Sequence, residues 1–495
     1  MLALISGALN AQNYIPDVSF SDDGYLVTDY FQYYDNTQPP GTVLTVGDKY
    51  IFSQKTQLCG FNADGTIDYT FGTMGYSRII SGNLSIQING SKLIDGSIFV
   101  YGKAYMTNDF NAFVVKMDPA GHYDTTFGNN GMYFYHLNGG NYTYGGVSDF
   151  ICKDNNFYVM GEVPVSNNKK VFVTKLDLNG NPVNAFGVNG MQAYDYFSPS
   201  TMAPYGDGLL IMGTTGGGSS GYTGILMKID ESGNLDAGFG SNGQKKILLT
   251  GPCTCGSSMY NCSVVGNDMY FIVRYASISD NIGTQKLMKV DLTALPPLND
   301  LESTVFTHIG SNNVYNFDSL NYMIDNDRVY RVESYNGFKI SRYLTNGSPD
   351  TTFNQTGFYA FDFPASPTAS IYLSVLAKTG DKIVLGGYKR TPGITTAPAT
   401  GLAVLKITDA ALSTAAFGPE KHFTVSPNPF SNMIAINNPD QLTIEKIVMT
   451  DVMGKMVYTQ DGSLESINAA SLQTGMYMLQ VYSKDRTEAF KMIKN

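Results

Sequence analysis

Side chains suited to chemistry are sparse in this chain. Four histidines occur, His122, His136, His308 and His422. None is spaced from another like the two ligands of a His-x-x-x-His metal motif. There is no Gly-x-Ser-x-Gly nucleophile elbow and no phosphate-binding loop. Gly216-Gly217-Gly218 is followed by neither Lys-Ser nor Lys-Thr, so it reads as a turn. Carboxylates remain. Asp64-Gly65-Thr66-Ile67-Asp68 holds two acids close together, which admits a calcium reading. Calcium takes about six to eight oxygens, and the equivalent stretch before Phe186 keeps none of these acids. Turn construction is therefore preferred. Paired acids in a channel would suit glycoside hydrolysis, so a polysaccharide-degrading enzyme is the alternative function. No catalytic, cofactor-binding or metal-binding residue is assigned, and no cofactor is expected.

Five cysteines are present. Cys253, Cys255 and Cys262 cluster in one loop, while Cys59 and Cys152 lie singly in strand-like segments. A small disulfide staple of Cys253 or Cys255 with Cys262 is expected. Zinc is disfavoured, because no histidine or second cysteine pair lies nearby.

Such residues need elements to hold them, and composition points to strands. Charged residues are 15% of the 495, against about a quarter in ordinary domains, with 52 Gly, 34 Tyr and no Trp. Many turn formers and β-formers suit an all-β chain. The net charge of -10 and the lack of clustered Lys or Arg argue against nucleic acid as a partner. Leu2 to Ala11 is apolar and ends in small residues. Residues 1–11 are read as a signal peptide, truncated because its basic n-region is missing. No stretch approaches the roughly 20 apolar residues of a transmembrane segment.

One pattern recurs: Asp-x-x-Phe, with a Gly four residues after the Phe. Its anchors are Phe20, Phe71, Phe127, Phe186, Phe239, Phe306, Phe353 and Phe417. The preceding acid is present as Asp17, Asp68, Asp124, Asp236 and Asp350. The following glycine is present as Gly24, Gly75, Gly131, Gly190, Gly243, Gly310 and Gly357. A further glycine, six before the Phe, fills Gly65, Gly121, Gly180, Gly233 and Gly347. Eight anchors bound seven intervals of 47 to 67 residues. Between Phe127 and Phe186 four short strands are expected, over Met132–Leu137, Val147–Lys153, Phe157–Val163 and Val171–Asp177. Four strands per unit is the size of a propeller blade. A seven-bladed β-propeller over residues 17–418 is predicted, with a β-solenoid as runner-up. The anchor Phe is expected to pack between neighbouring blades. The strand at Tyr25–Tyr30 belongs either to the first unit or to the last blade.

The strings Asp124-Thr125-Thr126-Phe127-Gly128-Asn129-Asn130-Gly131 and Asp350-Thr351-Thr352-Phe353 resemble the delta-60 repeat, a bacterial repeat assigned to β-propellers. The resemblance spans about Asp17 to Gly418 and implies fold rather than activity.

After Gly418 the style changes. Pro427-Asn428-Pro429, then Asp451-x-x-Gly454-Lys455, then Gly475-x-Tyr477, then a basic end with Lys491 and Lys494 follow in order. Alternation around Gly454 predicts a hairpin, and residues 423–495 suffice for a small C-terminal β-sandwich. This set resembles the type A sorting domain of type IX secretion cargo. The resemblance implies recognition by the type IX machinery and export to the surface of a Gram-negative bacterium or beyond. It also implies removal of the tail, with attachment of the body to surface lipopolysaccharide or its release. The favoured function is a non-catalytic binding or adhesion scaffold with a protein or glycan ligand. Gly251–Cys262 and Lys389–Gly401 are its candidate binding loops.

Overall fold

A computed structural model describes residues 14–21, 24–28, 41–54, 56–79, 85–106, 109–137, 146–165, 168–216, 222–249, 257–276, 282–293, 305–313, 322–325, 328–334, 338–361, 370–379, 382–390, 402–409, 423–438, 442–451, 455–462, 466–483 and 486–495. Among these residues the structure is all-β, with no helix. The chain divides into two compact units, Met1–Ala411 and Leu412–Asn495.

The first unit opens with β1 (Tyr14–Pro16) and β2 (Tyr25–Thr28). Six four-stranded antiparallel sheets follow among the described residues. The first holds β3 (Thr42–Val46), β4 (Lys49–Ser53), β5 (Gln57–Phe61) and β6 (Tyr76–Arg78). The second holds β7 (Ser85–Ile94), β8 (Ser97–Met106), β9 (Asp109–Met117) and β10 (Met132–Leu137). The third holds β11 (Gly146–Lys153), β12 (Asn156–Val165), β13 (Asn168–Leu176) and β14 (Met191–Asp195). The fourth holds β15 (Ser198–Tyr205), β16 (Gly208–Gly216), β17 (Tyr222–Ile229) and β18 (Gln244–Leu249). The fifth holds β19 (Ser257–Val265), β20 (Asp268–Ala276), β21 (Ile282–Asp291) and β22 (Val305–Asn313). The sixth holds β23 (Tyr322–Asp325), β24 (Arg328–Ser334), β25 (Phe338–Leu344) and β26 (Phe358–Phe361).

The last sheet differs. Its β27 (Ser370–Thr379), β28 (Lys382–Arg390) and β29 (Leu402–Asp409) are consecutive, but β1 and β2 complete it. Tyr14–Pro16 pairs with Asp409–Ile407, and Tyr25–Thr28 with Leu405–Leu402. The strand at Tyr25 thus joins the last sheet rather than the first. The first strands of successive sheets lie side by side, from β3 to β7 and onward to β27, and β27 lies beside β3.

The repeated motif builds the corner between the third and fourth strands. Its Phe is buried between two sheets. Phe71 packs with Ile51 and Leu58 of the first sheet and with Ile98 and Phe113 of the second. Its ring also covers a glycine of the next corner: a Cβ on Gly121 would lie 2.7 Å from it. The same contact joins Phe20 to Gly65, Phe127 to Gly180 and Phe186 to Gly233. Beside each contact runs a backbone hydrogen bond, such as Gly72 N–H to Ala120 C=O at 2.7 Å and Gly128 N–H to Asn179 C=O at 2.6 Å. The corner turns through left-handed residues, Gly128 (φ 56), Asn130 (φ 51) and Gly131 (φ 88), which explains the Gly-x-Asn-Gly after the Phe.

The acid before the Phe uses both oxygens. In Asp124 one accepts from the Thr126 amide at 3.1 Å and hydroxyl at 2.5 Å, and the other meets Lys116 Nζ at 2.7 Å. Asp236 meets Lys228 at 2.6 Å, and Asp350 meets Arg342 at 2.9 Å. Each cation stands eleven residues before its Phe, a spacing absent from the motif as read in sequence. The acids are therefore turn builders. Among the described residues no group of three or more His, Cys, Asp or Glu side chains could hold a metal ion.

One anchor is corrected. Phe306 and Gly310 lie inside β22, where Gly310 pairs with Gln285. They match the spacing but lack the left-handed residues that make a corner. Phe417 and Gly418 lie outside the described residues.

The second unit holds β30 (Thr424–Ser426), β31 (Met433–Asn437), β32 (Ile444–Asp451), β33 (Met456–Asp461), β34 (Ser466–Asn468), β35 (Gly475–Ser483) and β36 (Arg486–Lys494). One sheet runs β30-β31-β34 and the other β33-β32-β35-β36. They share one core, to which Ile434 and Ile467 come from the first and Ile447, Leu479 and Val481 from the second. Met433–Asn437 shows the alternation directly, with Ile434 and Ile436 buried and their neighbours exposed.

Two outcomes follow. Phe71→Ala removes the side chain shared by two sheets and should destabilise the first unit by about 3–5 kcal/mol in chemical denaturation. The corner acids set an acid limit. Hydrogen bonds from Lys116 and then Thr126 hold the Asp124 carboxyl down at about 2, and Lys228 and then the Gly238 amide lower that of Asp236. A depressed folded value favours the fold in full above the unfolded carboxyl range, near pH 4, and the benefit is lost as pH falls towards the folded value. Asp124→Asn should therefore lower the melting temperature at pH 7, and the gap from the parent chain should close as pH approaches 2.

Candidate functional site in the C-terminal unit

The ordered motifs of the tail are far apart in sequence and come together on one end of the second unit. Asn428 is the joint. Its amide Nδ2 donates to the Lys491 carbonyl at 2.7 Å, and its Oδ1 accepts from the Ile493 amide at 2.9 Å. One side chain thus supplies the donor and the acceptor that a neighbouring strand would have offered. Pro427 and Pro429 flank it, and neither carries an N–H to compete for these carbonyls. Phe430 continues the seam: its N–H donates to Ile493 C=O at 2.8 Å and its C=O accepts from Asn495 N–H at 3.0 Å. The Lys494 ammonium bonds the Ser431 carbonyl and lies 5.7 Å from the centre of the Phe430 ring.

The remaining motifs stand in adjacent rows of the same sheet. Gly475 pairs with Lys494, Tyr477 with Met492, and Met478 with Lys491. Asp451 pairs with Tyr477 across β32 and β35. Tyr477 is buried, with its hydroxyl donating to Gln473 C=O at 2.7 Å and its ring 6.3 Å from that of Phe430. Asp451 closes the turn of the predicted hairpin. Its Oδ1 accepts from the Lys455 amide at 2.9 Å, and its own N–H donates to the Lys455 carbonyl at 2.9 Å. Gly454 lies outside the described residues. The Lys455 and Lys491 side chains are exposed, whereas Lys494 is buried. Sequence reading missed Phe430 and Ser431, although Phe430 follows Pro-Asn-Pro directly.

The surface of this end is mixed in character. It presents backbone, two exposed ammonium groups and two exposed apolar side chains, Met476 and Ile493, which pair across β35 and β36.

In the first unit the single histidines stay apart. His122 is exposed, 3.3 Å from Asp118 in a corner turn. His136 lies in β10 and His308 in β22; His422 lies outside the described residues. One buried carboxylate, Asp149, ties three sheets together. It meets Lys92 of β7 at 2.6 Å, and Thr201 Oγ1 and the Met202 amide of β15 at 2.8 and 2.9 Å. Cys253 and Cys255 lie outside the described residues. Cys262 is half-buried in β19, and burial pushes its thiol up to about 12 despite a hydrogen bond with Ser200. Of the candidate binding loops, half of Gly251–Cys262 and nearly all of Lys389–Gly401 lie outside the described residues, and Ser257–Cys262 belongs to β19. No helix among the described residues is long and apolar enough to cross a membrane.

Residues 424–495 match the family described as the Secretion system C-terminal sorting domain. The tail is thus a type IX sorting domain, which marks the chain for export to the cell surface or for secretion. No curated protein matches the chain. Solved structures similar in outline share little sequence. The AfRom2 CNH domain is 7% identical, with a TM-score of 0.37, over 77% of this chain and 98% of its own. PorZ, a surface component of the type IX secretion system of Porphyromonas gingivalis, is 9% identical, with a TM-score of 0.20, over 92% and 81%. An α-L-arabinofuranosidase from Fusarium graminearum is 9% identical, with a TM-score of 0.34, over 64% and 91%.

Asn428→Ala removes both bonds to the last strand at a cost of about 1–3 kcal/mol. Hydrogen exchange on the full chain should show faster exchange at Ile493, with β31 to β34 unaffected.

Proposed function

We propose that the chain is type IX cargo whose body, a seven-bladed β-propeller, serves outside the cell as a non-catalytic binding or adhesion scaffold. The sorting-domain match over residues 424–495 carries the export half of this reading. The propeller half is supported by sheets of one pattern whose first strands lie side by side, with β27 beside β3. The corner acids favour a scaffold over carboxylate catalysis, because Asp68, Asp124, Asp236 and Asp350 are each held by a cation and a turn amide. The ligand is a protein or a glycan, taken by the loops within Gly251–Cys262 and Lys389–Gly401. After export the tail is removed and the body is attached to lipopolysaccharide or released.

Deleting residues 424–495 tests the address. The shortened chain should fold and accumulate in the periplasm, seen by fractionation and by protection from external protease. Its appearance at the surface at the parent level would overturn the export reading.

A further inference from the structure

The corner at Phe186 keeps the donors of its sister corners without the acid that those donors serve. In four sisters a carboxylate forks between two groups. One oxygen accepts from the amide of the residue before the Phe: Thr70, Thr126, Gly238 and Thr352 donate at 3.0, 3.1, 2.9 and 3.1 Å. The other oxygen meets a cation, which for Asp124, Asp236 and Asp350 is the residue eleven before the Phe. Before Phe186 the place of the acid holds Val183, while the place of the cation holds Lys175.

The backbone of this corner is unchanged by the substitution. Val183 N–H donates to Lys175 C=O at 2.9 Å, as Asp124 does to Lys116 at 2.9 Å and Asp236 to Lys228 at 3.0 Å. Phe186 N–H donates to Val183 C=O at 2.9 Å, as Phe127 does to Asp124 at 3.0 Å. Both donors of the fork therefore stand where one carboxylate would join them. Among the described residues Lys175 meets no carboxylate. Its ammonium is 3.4 Å from the Glu231 backbone carbonyl and 5.4 Å from the centre of the Tyr158 ring. The Ala185 amide, which stands at the place of the Thr126 amide, finds no acceptor among the described residues. Valine ends one bond short of the aspartate oxygens and carries no polar atom. Asn184 and Ala185 are exposed, so the fork opens to solvent.

We propose that the Lys175 ammonium and the Ala185 amide form a fork for the carboxylate of a sugar acid, free or at the end of a glycan. Two donors placed for the two oxygens of one carboxylate select that group by geometry as well as by charge. The exposed neighbours favour a sugar over an acidic peptide. The Asn184 and Asn189 side chains have no partner among the described residues, and each amide offers a donor and an acceptor to hydroxyls. Residues 177–191 hold no Lys or Arg to meet a second carboxylate. The fork is separate in sequence from the loops within Gly251–Cys262 and Lys389–Gly401 and from the tail, so its failure would leave the scaffold and export readings as they stand.

Titration calorimetry of the full chain with glucuronate tests the fork, with glucose and an acetylated Glu-Glu-Glu peptide alongside. Glucuronate should bind, and glucose, which lacks the carboxylate, should not. Lys175→Met should weaken glucuronate binding by about tenfold or more, the worth of one charge-assisted hydrogen bond. Val183→Asp supplies the carboxylate from within, as in the sister corners. It should abolish binding and slow hydrogen exchange at the Ala185 amide without ligand, as glucuronate does in the parent chain. Because four sister corners fold with this acid, Val183→Asp gives the answer if the Lys175→Met chain does not fold. A glucuronate-ended disaccharide that binds more tightly than glucuronate marks a glycan end as the occupant; equal or weaker binding marks the free acid. Absence of glucuronate binding, glucuronate binding that survives Val183→Asp, or binding of the peptide in its place would each overturn the proposal.

Discussion

The first unit depends on one contact, an aromatic ring seated on a glycine of the next corner. The ring fills the space between two sheets, and the missing Cβ lets the next corner close over it. Neither partner is replaceable by a near equivalent. A smaller side chain leaves a cavity, and an alanine at Gly121 meets the Phe71 ring at a φ of 80. The hydrogen bond beside each contact fixes the two corners at one height.

Charge is subordinate to this packing. Corner acids neutralise cations that in two cases lie beside aromatic rings: the Arg342 guanidinium is 4.9 Å from the centre of the Phe353 ring, and the Lys228 ammonium 5.7 Å from that of Tyr205. Asp149 does the same between first strands, and its two oxygens serve both neighbouring sheets. Removing such an acid would leave its cation uncompensated as well as breaking the turn. That double role accounts for acids recurring where a ligand site was the rival reading.

Much of this was legible in the sequence, because a corner needs particular residues at particular backbone angles. Gly128, Asn130 and Gly131 announce their left-handed turn by type alone, and the four strands between Phe127 and Phe186 appear within three residues of their expected limits. What escaped lies between elements. The cation eleven before the Phe contacts its acid only after the chain has turned back on itself, so no local pattern marks it. Phe306 shows the reverse failure: type and spacing match, yet the residue lies inside a strand. In the second unit the motif order was visible, but not that Asn428 binds the strand carrying Lys491 and Ile493, which depends on tertiary register.

Because the corners at Phe71, Phe127 and Phe186 each offer the same ring forwards and the same glycine backwards, one such copy can follow another. A duplicated unit inserted between two neighbours would find both of its partners waiting, and a deleted one would leave a matching pair behind. The latch therefore places no limit on the number of sheets. That number is left to the angle at which the first strands meet. A lineage could lengthen or shorten such a body by whole units without inventing a new contact.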